Sequence, residues 1–210
     1  MKNKAFTLIE LLVVMSAIVV LMMPFGLSVY RTYSGRPQDA VTMATNMLQV
    51  ARARTLAYQL ESRVAVCIDP NEPDYYLQSL VSLRWDGKWS RSDALPNPEG
   101  WRFDVRVQYL PQNTMFDPKF SEKPTEDNTM KLDLTKQGEM QDGTTGSLFQ
   151  FIEFDKSGNA ENPGTQWCFA NGKIIDGVVV FFNVEDRQAF KIRLTGRTSS
   201  YNESADIVKP

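Results

Sequence analysis

Few residues of this chain combine a reactive type with a spacing that could do chemistry. The sequence has no histidine, which excludes a histidine-based catalytic triad, a histidine metal site and a histidine pH switch. Acidic pairs such as Glu153 and Asp155 do not make a hydrolase site by themselves, because no cleft is in evidence around them. We therefore expect a protein without enzymatic activity and without a cofactor.

The two cysteines, Cys67 and Cys168, form no CxxC pair and no zinc spacing. Two alternatives stay open for them. Both thiols can be buried, or the pair can form one disulfide, which an oxidising compartment outside the cytoplasm would permit. Sequence does not decide between these alternatives, because a disulfide depends on geometry.

A further group of polar residues lies in "DKSGNAE", residues 155–161. Oxygen-bearing side chains alternate along it in a spacing that could begin a calcium loop, and they are Asp155, Ser157, Asn159 and Glu161. The run lacks a full set of ligands, and Asp, Ser, Gly and Asn are also the residues of ordinary turns. We expect a turn here rather than a metal site.

The most unusual titratable group is Glu10. It lies in an apolar segment, residues 6–29, which is long enough to cross a bilayer because about 20 helical residues suffice. An acid at the centre of such a span costs ~2.5 to 3.5 kcal/mol. Lys2 and Lys4 precede the segment, and basic flanks stay cytoplasmic, so the remainder of the chain should lie across the membrane. Glu10 is therefore predicted to be kept for a partner.

The residues "KAFTLIELLVVMSAIVVLMMP" resemble the N-terminus of type IV prepilins, which type IV pilins share with the pseudopilins of type II secretion. In that family a peptidase cuts a short basic leader just before a Phe, the new amine is methylated, and a Glu four residues on is retained. The resemblance implies cleavage between Ala5 and Phe6, N-methylation of Phe6 and a role in assembly for Glu10. Ala5 stands where the family nearly always has Gly, so an uncleaved single-pass anchor is the alternative.

The resemblance also suggests what compensates Glu10. When subunits stack as a helical bundle, the ammonium group of one Phe6 can meet the carboxylate of a Glu10, so that each buried charge finds its opposite. An unpaired charge would be heavily penalised there. We expect assembly to favour the register that pairs the two groups.

A second helix is predicted after the apolar segment. The stretch "SGRPQD", residues 34–39, supplies a break with a proline near the start of a new helix. From Pro37 to about Glu61, apolar residues recur at spacings of three and four, which predicts a helix packed on a sheet. Arg52 and Arg54 are expected on its solvated edge. The predicted buried face comprises Val41, Ala44, Met47, Leu48, Val50, Ala51, Thr55 and Tyr58.

Beyond this helix the pattern changes to period two or to short apolar runs, which predicts strands. The predicted strands are 63–68, 75–85, 101–110, 147–154, 173–184 and 189–196, with a short additional strand in "MKLDL" at 130–134. No helical pattern alternates with them, so we expect the sheet to be antiparallel.

Asp86-Gly87 predicts a tight hairpin. Trp85 and Trp89 flank this turn, and a cross-strand pair is the plain interpretation of them. They could alternatively grip a partner, and the sequence does not decide between the two.

Three further segments carry local predictions. In 101–110 the alternation of apolar and polar residues predicts a half-buried strand with Tyr109 on its buried face. The long polar segment 111–146 is predicted to be a variable loop and a contact surface. Residues 199–210 are expected to form a mobile tail.

A helix followed by mostly β structure is the plan of pilins. The resemblance narrows at "LQVARARTLAYQLESRVAVCI", "FIEFDKSGNA" and "KIRLTGRTS", which are similar to H-type minor pseudopilins and their FimT/FimU-like relatives. It implies an α+β, pilin-like fold, with a long N-terminal transmembrane α-helix followed by a C-terminal antiparallel β-sheet domain. The expected parts are a basic leader (1–5), a transmembrane and assembly helix (6–33), an amphipathic helix (34–62) and a β domain (63–210).

The resemblance implies a structural minor pseudopilin of a type II secretion system, assembled into a periplasmic pseudopilus that drives protein secretion. Its partners would be other pseudopilins or pilins, the prepilin peptidase and an inner-membrane assembly platform. A single span would anchor it in the bacterial inner membrane with its C-terminal domain in the periplasm. The alternatives are a minor pilin of a type IV pilus, serving adhesion, motility or DNA uptake, and a membrane-anchored periplasmic binding protein or enzyme. No nucleic-acid partner is expected, because the net charge is -2.

Overall fold

The computed structural model describes residues 35–86, 100–121, 128–137, 139–182 and 184–201. These residues belong to a compact unit that begins at Gly35 and is distinct from Met1–Ser34. Within them one α-helix precedes eleven β-strands, all paired antiparallel, which confirms the predicted α+β order. None of the helices in these ranges has the length and apolar character needed to cross a bilayer. The predicted helix 6–33 lies outside the described residues.

Helix α1 spans Pro37–Tyr58. A proline begins it because the first helical position needs no N–H donor, and the preceding Arg36 is extended. It ends at Gln59, whose φ of 55° is left-handed and whose N–H donates to the Thr55 carbonyl. The helix therefore stops before Glu61, the predicted end.

The buried face of α1 confirms most of the predicted pattern. Its buried residues are Pro37, Ala40, Val41, Ala44, Leu48, Ala51 and Thr55. Tyr58 is 66% exposed and Val50 is 49% exposed, so their predicted burial is wrong. Contact between helix and sheet ends at Thr55, whose hydroxyl meets that of Ser62 at the start of the following strand, and the chain turns away from the helix at Gln59.

Two antiparallel sheets hold the strands. The first sheet comprises β1 (Ser62–Cys67), β2 (Ser79–Trp85), β3 (Trp101–Phe103), β4 (Gln108–Tyr109), β6 (Thr129–Leu132) and β7 (Ser147–Phe154). The second sheet comprises β5 (Thr114–Phe116), β8 (Gln166–Ile175), β9 (Val178–Phe181), β10 (Gln188–Ile192) and β11 (Thr198–Tyr201). The strand order is β3-β2-β1-β7-β6 in the first sheet, with β4 beside β2. It is β11-β10-β8-β5 in the second, with β9 beside β8. Short 3-10 turns lie at Leu134–Lys136 and Val184–Asp186.

The main core lies where α1 packs against both sheets. Four aromatic rings of the second sheet meet there, with centroid separations between 5.8 and 6.4 Å, and they are Phe116, Trp167, Phe169 and Phe190. A second core covers the opposite face of the first sheet and includes Ala65, Cys67 and Trp101. Both faces of β1 are buried over residues 64–67, and there its sequence is a continuous apolar run rather than an alternating one.

The predicted strand 173–184 is two strands of a hairpin. β8 and β9 are joined by Asp176 and Gly177, whose φ values are 50° and 77°. Asp-Gly at two positive-φ positions is the preferred two-residue hairpin turn, so the signal was present in the sequence. β8 also begins earlier than predicted, at Gln166, and is buried as far as Ala170.

The predicted strand 101–110 is interrupted, because the chain leaves the ladder at Asp104, whose side chain pairs with Arg54 of α1. Tyr109 is 54% exposed and stacks on Tyr75 at 5.9 Å, so its predicted burial is wrong. The predicted strand 75–85 likewise begins only at Ser79.

The cross-strand neighbour of Trp85 in β3 is Trp101. Their rings meet edge to face with centroids 5.2 Å apart, and the Asp86 N–H donates to the Gly100 carbonyl. The predicted hairpin partners Gly87 and Trp89 lie outside the described residues.

The segment 111–146 contributes to both sheets. β5 was not predicted, although all three of its residues are buried. β6 confirms the short strand predicted in 130–134. Residues 199–201 belong to β11 rather than to a tail, and 202–210 lie outside the described residues.

Candidate functional site

An apolar groove lies between one side of α1 and the part of the first sheet formed by β2 and β4. Met43, Met47 and Val50 of the helix form one wall, and Val105 lies on the other. The groove has a volume of 510 Å³, and the polar side chains around it are Asp39, Thr42, Asn46, Arg54, Ser82 and Gln108. Such a surface can bind apolar groups but offers no arrangement for proton transfer.

A basic cleft lies at the end of α1 that is nearer Tyr58. We define it by Arg52 of the helix and by Arg193 and Arg197 of the turn that follows β10. It has a volume of 830 Å³, and its other lining residues are Asn159, Leu194, Thr195, Thr198 and Ser199. Three guanidinium groups beside three hydroxyl groups make this cleft suited to carboxylates or other oxyanions.

Hydrogen bonds fix two of these arginines. Arg52 donates from Nε to the Gly158 carbonyl and Arg193 donates from Nε to the Ser199 hydroxyl, each across 2.8 Å. Within the described residues, none of the three cleft arginines lies within 4.0 Å of a carboxylate. Their terminal N–H groups are therefore available to an acidic partner.

Gly196 makes the basic cleft possible. Its φ is 71°, and a Cβ there would lie 2.6 Å from the Gly158 carbonyl oxygen and 2.7 Å from Arg52 Cδ. The turn is closed by hydrogen bonds from the Arg193 and Gly196 N–H groups to the Arg197 and Arg193 carbonyls. Only glycine lets this turn pack so closely on Arg52.

Carboxylates line two adjoining cavities elsewhere in the domain. One has a volume of 410 Å³ and the other 270 Å³, and both include Asp133. We call their acidic residues the acidic rim, and they are Asp69, Glu72, Asp133, Glu139 and Asp142. Lys136 pairs with Asp133 at 3.4 Å, so the rim keeps an excess of negative charge.

Hydrogen bonds hold the rim carboxylates in their charged form. Asp69 accepts from the Asn71 N–H and from the Leu148 N–H, and these bonds lower the pKa of Asp69. Asp133 accepts from the hydroxyl and N–H of Thr135, which lowers the pKa of Asp133 in the same way. The rim is therefore negative at neutral pH.

The cysteines are separate buried thiols, which decides between the two alternatives. Cys67 lies in β1 and Cys168 in β8, both are fully buried, and they belong to different core clusters. Burial raises the pKa of Cys67 to about 11 and that of Cys168 to about 12. Both thiols are free, and no disulfide joins them.

The run 155–161 forms the predicted turn. One carboxylate oxygen of Asp155 accepts from the N–H groups of Ser157 and Asn159, each across 2.8 Å. The Asn159 side chain donates to the other oxygen, and the Glu161 N–H donates to the Glu153 carbonyl. Asp155 thus organises its own loop, and among the described residues no cluster of three metal-ligating side chains is found.

Glu153 forms an ion pair with an arginine and is not paired with Asp155 for catalysis. Arg63 donates to it from Nε and Nη2 across 3.0 and 2.9 Å, and its guanidinium lies 3.9 Å from the Trp101 ring. Burial raises the pKa of Glu153, and the charge of Arg63 opposes that rise. The ion pair joins β1 to β7. Because Glu153 is bound to Arg63, it is not free to act as a general acid.

Residues 1–25 match the family model described as "Prokaryotic N-terminal methylation motif". The N-terminal segment of this chain is thus similar to that of proteins which are methylated at the N-terminus. The matched residues include Ala5, Phe6 and Glu10, all of which lie outside the described residues. Cleavage, methylation and the pairing of Glu10 therefore stay predictions for this chain.

One solved structure similar to this chain is the type IV minor pilin FimU of Pseudomonas aeruginosa strain PAO1. The two are 14% identical, with a TM-score of 0.40, and the match covers 82% of this chain and 92% of that one. A comparison with curated protein sequences gave no significant match.

The sequence predicted neither the basic cleft nor the acidic rim. Arg52 was expected on a solvated edge, yet it is half-buried beneath the turn that carries Arg193 and Arg197. The three arginines are brought together only by the packing of the last hairpin on α1. The one signal available was the repeated Arg in "RLTGR", which indicates nothing until its neighbour is known.

Proposed function

We propose that this chain is a structural, non-enzymatic subunit of a type IV pilin-like filament, specifically a minor pseudopilin of a type II secretion system. The observation that carries the proposal is the N-terminal methylation motif over residues 1–25. A helix followed by antiparallel sheets, which is the expected form of a pilin head domain, supports it.

The N-terminal segment both anchors and assembles the subunit. Lys2 and Lys4 hold the leader in the cytoplasm, so that the β domain lies in the periplasm. The prepilin peptidase cleaves between Ala5 and Phe6 and the new amine is methylated. Ala5 is the small residue before this bond, where the family nearly always has Gly.

Glu10 then acts as the assembly group. Its carboxylate, buried among apolar helices, pairs with the Phe6 ammonium of another subunit, and each ion offsets the desolvation cost of the other. An unpaired buried ion costs several kcal/mol, about 3 to 5 when one partner is removed. The pairing thereby selects one register of stacking on the inner-membrane assembly platform.

A variant test in the native host addresses this role. Cells lacking the chromosomal copy are supplied with the wild type, with Glu10→Ala or with Ser16→Ala, which removes another polar group from the same apolar run. We expect Glu10→Ala to be processed and held in the membrane but excluded from isolated filaments, while Ser16→Ala enters them. Normal entry of Glu10→Ala into filaments would refute the assembly role.

The same strains separate the secretion system from its alternative. Failure of a folded protein cargo to reach the medium, with surface pili unchanged, is the result expected of a pseudopilin. Loss of surface pili, twitching or DNA uptake with secretion unchanged would instead identify a minor pilin of a type IV pilus.

A further inference from the structure

The described domain has opposite charge at the two ends of strand β7. The Ser147 end of β7 faces the acidic rim, because the Leu148 N–H donates to Asp69 and the Ser147 hydroxyl donates to Glu72. Seven residues later β7 ends at Phe154, which forms a bridge to Ala160. At ~3.4 Å per residue the two ends are roughly 24 Å apart.

The Phe154 end of β7 carries the basic cleft. The Ala160 N–H donates to the Leu194 carbonyl across 2.9 Å, which places the turn from Arg193 to Arg197 directly beside the end of this strand. Arg52 reaches the same place through its bond to Gly158. The carboxylate of Asp155 in the neighbouring turn accepts from the N–H groups of Ser157 and Asn159 and forms no ion pair with the three cleft arginines.

We propose that two copies of this chain associate head to tail, with the basic cleft of one copy receiving the acidic rim of the next. Exposed Glu139 and Asp142 are the rim residues that enter the cleft, and exposed Arg193 and Arg197 meet them. Arg52 is positioned deeper in the cleft by Gly158. The contact does not depend on cleavage before Phe6, so it stands or falls separately from the proposed function.

The interface joins two different surfaces, so it is heterologous and leaves one cleft and one rim free on every pair. Each further copy can add in the same direction, which produces an open array rather than a closed dimer. A two-fold dimer that paired both clefts with both rims would instead leave neither surface free and could not grow beyond two copies.

Cysteine cross-linking of the full chain in membranes tests this contact, and a protein that carries both of the substitutions below should form a ladder of multimers in an open array but only a dimer in a two-fold pair. Thr195 lines the basic cleft and Thr145 lines the rim cavity, and both are exposed. Thr195→Cys protein mixed with Thr145→Cys protein is expected to form a disulfide-linked dimer under mild oxidation, whereas each protein alone is not. Cys67 and Cys168 are fully buried and give no background.

Charge exchange tests whether electrostatics drives the contact. Arg193→Glu/Arg197→Glu in the Thr195→Cys protein should lower the yield of mixed dimer about tenfold, because like charges then face each other. Glu139→Lys/Asp142→Lys in the Thr145→Cys protein should restore it. The matched control is Arg106→Glu/Lys173→Glu, which makes the same change in charge at exposed residues outside the basic cleft and should leave the yield unchanged.

Each outcome of these experiments either supports or refutes the contact between the basic cleft and the acidic rim. Mixed cross-linking that is lost by one reversal and recovered by the complementary one establishes the head-to-tail contact. Cross-linking of Thr195→Cys to itself, failure of the mixed pair to cross-link, or equal yields from every charge variant would overturn it.

Discussion

The Nε atom of Arg187 donates to Oδ2 of Asp117 across 2.9 Å, and these side chains are only 9% and 0% exposed. The pair joins the residue after β5 to the residue before β10, and the Arg187 guanidinium lies 3.9 Å from the Phe120 ring. It therefore ties the edge strand β5 to an inner strand of the same sheet with a buried ion pair.

Replacement of Arg187 by Met is expected to lower the free energy of unfolding by about 3 to 5 kcal/mol, because it leaves the Asp117 carboxylate buried without its counter-charge. Urea denaturation of the full chain in detergent measures the loss. Arg106→Met, at an exposed arginine, should change stability by less than about 0.5 kcal/mol. If Arg187→Met lowers the free energy of unfolding no more than Arg106→Met does, the ion pair contributes little to stability.

Helix α1 should be sensitive on one face only. Leu48→Ala is expected to cost about 2 to 5 kcal/mol, because the side chain is fully buried between helix and sheets and its removal leaves a cavity. Tyr58→Ala, at a residue 66% exposed, should cost much less. Equal losses of stability from the two substitutions would contradict the observed packing of the helix.

The buried cysteines should be inert in the native protein. Burial holds their pKa values at about 11 and 12, so both thiols are protonated at pH 8 and lie out of reach of reagents. An excess of an alkylating reagent is expected to label neither Cys67 nor Cys168 before unfolding and both afterwards, without any reductant. Two thiols that react only after reduction would mean that a disulfide exists.

Asp69 should contribute to stability in a pH-dependent way. Its hydrogen bonds to Asn71 and Leu148 lower its folded-state pKa below the ordinary value of 3.8. Its contribution is therefore present above pH 3.8 and is lost as the pH falls through the lower, folded-state value. Asp69→Asn should be less stable than the wild type at pH 7, and the gap should narrow below pH 3.8. A constant gap between pH 7 and pH 2 would exclude this linkage.

Local patterns in the sequence were enough to predict helices and strands that are buried on one face or on both faces. Spacings of three and four identified α1, and β7 was predicted with the observed bounds of 147–154. β5 escaped because its three residues follow a polar segment and are buried only through pairing with β8. Asp176-Gly177 was overlooked because apolar residues on both sides suggested one continuous strand.

The candidate surfaces could not be predicted in the same way. Arg52 and Arg193 are far apart in sequence, and their meeting depends on the close approach of Gly196 to Gly158. The acidic rim likewise combines residues after β1 with residues around the 3-10 turn at Leu134–Lys136. The net charge of the whole chain is small and negative. It does not reveal that positive charge is concentrated in the basic cleft and negative charge in the acidic rim.

The proposed function requires that this chain is processed and assembled as a type IV pilin-like subunit. Its most direct test is mass spectrometry of the N-terminus of protein recovered from membranes, with and without the prepilin peptidase. We predict a chain that begins with N-methylated Phe6 when the peptidase is present and with Met1 when it is absent. A chain that begins with Met1 in both cases would contradict the claim and leave an uncleaved membrane anchor.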